Sequence, residues 1–314
     1  MEAGALSPAW QPPMLLTDIV QVLIAAATAG CLYALVAVGV TLIYSATGII
    51  NFAQGEFVML SGMTMVSLYG AYGWPLAAAV AVSLVVVVLY AGFLMSITTR
   101  FGRGASLIGV LIITIGASIG TSGIAARVWG TDTHRFAPFS GDAPFQLLGA
   151  TITPQALWII GCALLAIGCV EWFMRRTLIG RAMRACAIDK SAALMMGVPA
   201  RWMVLLSFVM AGALGALGGI VATPLTTMDY NGGMLLAIKG FSAAMLGGMG
   251  NVSGALLGSL LIALLEATSV AFFSSSLKEL STFVVILFVL LALPRGLLGG
   301  RKEVGLHHDD HTSH

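Results

Sequence analysis

Charge is what this sequence lacks most. Asp, Glu, Lys and Arg together make up 9% of its 314 residues, with 15 Lys+Arg against 13 Asp+Glu and a formal net charge of +2. Soluble globular domains carry about 25%. So few charges cannot cover the surface of a water-soluble globule of this size, which excludes an ordinary cytosolic enzyme. The near-neutral balance excludes the basic footprint of a nucleic-acid binder. Cysteine is scarce as well: Cys31, Cys162 and Cys169 fall inside apolar runs and Cys186 in a basic loop. Their spacing fits neither a disulfide framework nor a zinc motif, and they read as small packing residues. There is no G-x-x-x-x-G-K-[ST] loop to cradle nucleotide phosphates, no H-E-x-x-H and no G-x-S-x-G. No cofactor is called for, no catalytic grouping is visible, and any energy for work comes from outside the chain or from an ion gradient. The first seventeen residues carry Glu2 but no Lys or Arg, so they lack the basic start of a signal peptide and are expected to stay on the chain.

What is present is apolar. Hydrophobic residues are 59% of the chain and glycine numbers 38, well above the usual share of about 7%. A Leu/Val/Ala-rich, Gly-rich, charge-poor sequence predicts an all-α polytopic transmembrane helical bundle with close helix contacts, embedded in a lipid bilayer. A helix needs about 20 apolar residues to cross the hydrocarbon, and full spans are read near 19–44, 52–70, 75–97, 105–127, 154–174, 203–222 and 278–294. The apolar stretch 235–273 is about twice one span and is interrupted by Gly247, Gly248, Gly250 and Asn251. It is expected to form two shorter helices, or a re-entrant piece plus a span, because a break at membrane depth is tolerated only where protein or a water-filled cavity receives the freed backbone groups.

The basic residues cluster in alternate loops. Arg100 and Arg103 lie in one, Arg175, Arg176, Arg181, Arg184, Lys190 and Arg201 in the next, and Arg295, Arg301 and Lys302 follow the last span. The positive-inside rule then sets the N-terminus outside and the C-terminus in the cytoplasm, with an odd number of crossings. Three regions follow: a short extracytoplasmic segment 1–17, a transmembrane domain 18–300 with a cytoplasmic loop 175–202, and a polar cytoplasmic tail 301–314. In the tail, His307, His308 and His311 stand beside Asp309 and Asp310. They could bind a metal, but a solvated end without a scaffold is the simpler reading, and no metal site is assigned.

Within the loop 175–202, Arg181, Arg184 and Ile188 recur at helical spacing. Asp189 or Ser191 can cap a short helix from Ser191 to Met196, which Gly197 ends and Pro199 keeps from continuing. So short a helix is unstable alone in water and needs a partner for its apolar face. That partner is either the chain's own bundle or a groove on a soluble protein. Near the second span, Asn51, Gln54 and Glu56 flank Gly55. Asn51 can cap the helix that follows. Glu56, inside the apolar run, must face the bundle or a cavity, either as a pathway or gate residue or as a structural hydrogen bond. Lys239 and Glu266 could pair if the glycine turn folds 235–273 together. Snorkelling of Lys239 to the interface is the simpler reading. Gly116/Gly120, Gly215/Gly219 and Gly250/Gly254/Gly258 are small-x-x-x-small sets expected to let helices approach closely, within the bundle by default or else at a seam between two permeases.

Ser191-Ala192-Ala193, three residues and Gly197 resemble the Glu-Ala-Ala-x-x-x-Gly loop of ABC importer permeases, with Ser191 in place of the usual Glu and without the downstream Ile-x-Leu-Pro. Residues 30–63, which include Asn51-Phe52-Ala53-Gln54-Gly55-Glu56, and residues 237–266, which include Leu246-Gly247-Gly248-Met249-Gly250, resemble the two signatures of LivH-type permeases of branched-chain amino-acid ABC importers. The resemblance spans roughly residues 18–300. It implies a transport subunit of a bacterial inner membrane, not an enzyme, that moves branched-chain or other hydrophobic amino acids. It also implies separate ABC ATPase subunits, a second, related permease and a periplasmic substrate-binding protein. Asp189, Ser191, Ala192, Ala193, Met196 and Gly197 would then form the coupling helix seated on the ATPase, and Asn51, Gln54 and Glu56 would belong to the translocation pathway or its gate. A permease for urea or short amides is the nearest alternative. An ion-coupled secondary transporter is the alternative of a different class, for which only Glu56, Lys239 and Glu266 are candidate coupling groups.

Overall fold

The computed structural model describes residues 16–102, 106–141, 143–147 and 149–272, together with 284, 287, 291 and 296–298. The predicted span at 278–294, with Lys278, and the polar tail lie outside the described residues, apart from those isolated positions. The described chain is helical except for one small hairpin. In order, the elements are α1 (Leu16–Thr47), α2 (Gln54–Met65), α3 (Leu76–Phe101), α4 (Leu107–Trp129), β1 (Phe145–Leu147), β2 (Ala150–Ile152), α5 (Pro154–Arg176), α6 (Leu178–Ile188), α7 (Lys190–Met195), α8 (Ala200–Ala222), α9 (Gly232–Gly247) and α10 (Val252–Phe272). A wide π-helical turn, Val66–Ala71, extends α2. Six of these helices, α1, α3, α4, α5, α8 and α10, are long and apolar enough to cross a membrane. The chain is a polytopic helical membrane protein.

α1 is the central post, packed on α10, α8, α9 and α5. Ala34, Leu35 and Val38 on it have no solvent exposure. α4 stands at the periphery, and Ile108, Ile112, Ile119 and Ile124 along it are exposed, as suits a helix facing lipid or another membrane chain. The bundle has a basic end. Arg100 closes α3, Arg175 and Arg176 close α5, and Arg181 and Arg184 sit on α6. The turn between α9 and α10 lies at this end: Ser253 donates to Glu171 of α5, and the amides of Leu297 and Leu298 donate to the carbonyls of Leu246 and Gly247.

At the opposite end, the connection from α4 to α5 carries the small hairpin. β1 pairs antiparallel with β2, Phe145 opposite Ile152, and Gln21 of α1 exchanges hydrogen bonds with the backbone of Thr151. His134 and Met228 exchange backbone bonds of 2.8 Å, tying this loop to the α8–α9 connection. Tyr69, Phe136, Phe139 and Trp158 pack edge-on or stacked beneath it.

Glycine decides how closely the helices meet. A Cβ on Gly219 would strike Val58 and Ser61 of α2, and one on Gly215 would strike Phe57. Gly55 and Gly233 lie backbone to backbone, as do Gly247 and Gly254. Gly116 and Gly120 differ: nothing among the described residues lies within 4 Å of where their Cβ atoms would be. The close internal approach expected at that pair is absent from the described structure because α4 turns this face outward.

Candidate functional site: an interrupted helix at mid-bundle

The sequence reads 52–70 as a full span. The structure instead begins α2 halfway across. Gln54 Nε2 donates to the carbonyl of Ala211 at 3.2 Å, and Ala211 is the middle residue of α8. Ser118, the middle residue of α4, donates to Glu56 at 2.7 Å. Apolar periodicity marks which residues are helical but not how deep a helix begins, and the chain uses 48–53 to climb from the end of α1 to mid-depth. Gly48, at φ 72°, makes the turn out of α1.

Such a break exposes backbone groups where lipid offers them no partner. The neighbouring side chains supply several. The Gly48 amide bonds back to the Tyr44 carbonyl at 2.7 Å, and the Ile49 amide donates to Thr47 Oγ1 at 3.1 Å. The Phe52 amide reaches Thr114 Oγ1 at 3.5 Å, and the Ala53 amide donates to Asn51 Oδ1 at 3.1 Å. Asn51 thus serves the entry to α2 two residues ahead of the cap position, which Ala53 holds without a side-chain bond.

Beside this break is a cavity of about 310 Å³ lined by α1, the 50–54 segment, α4 and α9. Its walls are apolar, chiefly Val40, Ile50, Ile115, Ile238 and Phe241, interrupted by the polar residues Asn51, Gln54 and Ser118. Glu56 does not line it. Its carboxyl is 2% exposed and accepts from Ser118 and from Ser122 at 3.1 Å, so it fastens α2 to α4. No motif announced either serine, since isolated serines are ordinary in apolar helices.

At the basic end, Asp189 caps α7: its Oδ1 accepts the amides of Ser191 and Ala192 at 2.8 and 3.0 Å. Gly197, at φ 81°, ends the helix with the Gly197 and Val198 amides bonded back to Leu194 and Ala193. Ala193 is buried against α6 and α8, whereas Leu194, Met195 and Met196 project outward, the last two 83% and 85% exposed. The predicted short helix is preceded by a second one, α6, capped by Thr177.

Gly247, Gly248, Gly250 and Asn251 form the α9–α10 turn. Gly248 and Gly250 have φ of 101° and 93°, a region side chains avoid, and Asn251 Oδ1 accepts the Gly254 amide at 3.2 Å. Lys239 and Glu266, for which snorkelling was the simpler expectation, are paired instead. Lys239 Nζ lies 2.8 Å from Glu266 Oε1, and Tyr33 of α1 donates to Glu266 Oε2 at 2.7 Å. No group of three potential metal ligands occurs among the described residues.

Comparison with known proteins fits this architecture. The profile of the family described as branched-chain amino acid transport system / permease component matches residues 22–293. The high-affinity branched-chain amino acid transport system permease protein LivH of Escherichia coli (strain K12) is 32% identical over 292 residues, covering 88% of this chain and 94% of that protein. BraD of Pseudomonas aeruginosa, of the same description, is 33% identical over 302 residues, covering 90% and 96%. A solved chain of PsaBC from Streptococcus pneumoniae in complex with Fab is 15% identical with a TM-score of 0.47, covering 88% of this chain and 92% of that one. A family match over nearly the whole length, joined to a helical membrane bundle, gives the identity: this chain belongs to the branched-chain amino acid transport system permease family, whose members are transport subunits and not enzymes.

Proposed function

We propose that the chain is the permease subunit of an ATP-driven importer for branched-chain and other hydrophobic amino acids in a bacterial inner membrane. The observation that carries this reading is the mid-bundle cavity at the α2 break: small, apolar in its walls and polar at three residues. A full-length helix in the place of 48–71 would leave no such step at mid-depth. Asn51 and Gln54 stand on the pathway, and Glu56 behind it holds α4 in place through Ser118.

The basic end faces the cytoplasm under the positive-inside rule, which sets the N-terminus outside. There α7 is the foot on which a separate ABC ATPase acts. Asp189 and Gly197 fix its two ends, Ala193 roots it in the bundle, and Met195 and Met196 offer flexible apolar surface to a groove. Nucleotide binding by a pair of such ATPases pulls the foot and tilts α6 and α8, to which it is joined. A second, related permease stands beside this one, and a periplasmic binding protein delivers the solute to the far end. Ion coupling lacks support among the described residues, because the Glu56 carboxyl near the cavity is enclosed by serines and that of Glu266 is paired with Lys239.

The test is uptake of labelled leucine into vesicles holding the reconstituted complex. Uptake is expected only with hydrolysable ATP, the ATPase subunits and the binding protein. Accumulation against a gradient with no nucleotide hydrolysed overturns the reading.

A further inference from the structure

Two side chains at the cavity are left half-used, and their geometry fixes which half. Asn51 Oδ1 is committed to the Ala53 amide, so its free end is the donor Nδ2. Gln54 Nε2 is committed to the Ala211 carbonyl, so its free end is the acceptor Oε1. Both residues are buried, 3% and 1% exposed. Neither Asn51 Nδ2 nor Gln54 Oε1 has a hydrogen-bond partner among the described residues, and both atoms are enclosed in this conformation, so a solute in the cavity meets them only as these side chains turn toward it. Leaving a buried amide N–H or C=O unmade is costly, and more so in a low-dielectric interior. Both residues line the same cavity, whose remaining walls are mainly apolar.

From this we infer that Asn51 and Gln54 together grip the main-chain end of the transported amino acid at mid-membrane. Asn51 Nδ2 donates to the α-carboxylate and Gln54 Oε1 accepts from the α-ammonium, while the aliphatic side chain lies against Val40, Ile50, Ile115 and Ile238. The inference rests on the import reading above and adds the chemistry of recognition inside the permease. One unused donor and one unused acceptor, three residues apart on one segment, match a solute that carries an acceptor group and a donor group on one carbon. A solute with only one of them leaves the other amide unsatisfied. The opening amides of α2, at Gln54 and Gly55, lack intrahelical partners at the same level, and the positive end of the helix favours the carboxylate there. Neutral amides rather than Arg or Asp suit a site that must also let its solute go, since a passage binds well enough to admit and weakly enough to release.

The experiment measures the thermal midpoint of the purified permease complex in detergent without its binding protein, so that selection by that protein plays no part. L-Leucine in excess is expected to raise the midpoint by about 2 °C or more. Isocaproate, which lacks the ammonium, and isopentylamine, which lacks the carboxylate, each give less than about a third of that rise. Asn51→Asp keeps an oxygen for the Ala53 amide but removes the donor and repels a carboxylate. It is expected to abolish the response to leucine, and the buried charge lowers its ligand-free midpoint, so the response is read as the rise above that variant's own ligand-free midpoint. Gln54→Met repeats the measurement from the acceptor side should Asn51→Asp fail to accumulate. No response to leucine in the unmutated complex, equal responses to all three compounds, or an undiminished response in the variants overturns the inference. ATP-dependent leucine uptake, measured in parallel, separates the two levels: uptake with no midpoint response removes the grip and leaves import standing, whereas absent uptake removes the import reading itself.

Discussion

The pair formed by Lys239 and Glu266 makes a sharp energetic prediction, because both charges are nearly buried among apolar helices, with side-chain exposures of 12% and 2%. At their 2.8 Å separation, the gross attraction is about 6 kcal/mol for an effective dielectric constant of about 20. Desolvation of each ion opposes it by several kcal/mol. The net worth of the pair against an apolar replacement is therefore small, but the cost of halving it is not. Lys239→Met takes the cation away from beside the Glu266 carboxylate, and Glu266→Leu takes the carboxylate away from beside Lys239. Each single substitution is expected to destabilise by about 3–5 kcal/mol. The double substitution should lie within about 2 kcal/mol of the original, giving a coupling energy of several kcal/mol where non-interacting sites would simply add. Unfolding within a lipid or detergent phase does not erase the effect, since a lone charge on a separated helix still costs about 3 kcal/mol at mid-membrane. The assay is a double-mutant cycle on unfolding in mixed micelles, with membrane abundance as a second readout. Additive single and double effects would refute the argument and reduce the contact to an incidental approach of two long side chains.

Four other changes probe separate parts of the structure. Gly219→Val places methyl groups where the Val58 carbonyl and Ser61 hydroxyl already stand, so it should cost about 3 kcal/mol or more in thermal unfolding. Gly116→Ala meets open space and should be neutral or stabilising by up to about 1 kcal/mol through helix propensity. Glu56→Gln keeps an oxygen for Ser118 and Ser122 and should leave leucine uptake within about threefold of the original at equal membrane abundance, equivalent to less than about 1 kcal/mol; a total loss would put the carboxyl on the pathway itself. Replacing Met195 and Met196 together by Asp should leave the melting of the isolated permease unchanged, because both are solvent-exposed, but lower ATPase co-purification at least about tenfold, a loss of roughly 1.4 kcal/mol or more in association.

The sequence gives away the features that depend on local pattern and hides those that depend on who faces whom. Apolar length marks the helices that span, and the spacing of Asp189, Ser191 and Gly197 marks a short capped helix, because caps and helix ends are written within a few residues. α6 is harder to read, since its helical spacing lies in a stretch whose charges look like an ordinary basic loop. The hairpin at 145–152 is too short to show a period. The pairing of Lys239 with Glu266 requires α9 and α10 to fold antiparallel at Gly248 and Gly250, which no local rule fixes. Ser118 and Ser122 become partners of Glu56 only once α4 lies beside a helix that starts halfway down.

That half-start links fold to function. Breaking a helix inside hydrocarbon liberates amides that must find acceptors, and Thr47, Asn51 and Thr114 take three of them. Polar side chains are therefore obligatory at the break for structural reasons alone. A side-chain amide, however, has two ends, and satisfying the backbone uses only one end of Asn51, just as anchoring to α8 uses only one end of Gln54. The price of interrupting α2 thus leaves a donor and an acceptor beside an apolar cavity in the middle of the bundle. Threonine at position 51 could also serve the Ala53 amide, but its one hydroxyl sits on Cβ and does not reach as far toward a solute as the amide N–H does. The structural demand alone is met by either residue, and only a demand from the solute distinguishes them. Asn51→Thr should accordingly retain most of the stability of the bundle, within about 1 kcal/mol, while losing leucine uptake. Retention of both stability and uptake would show that the break exists for packing only.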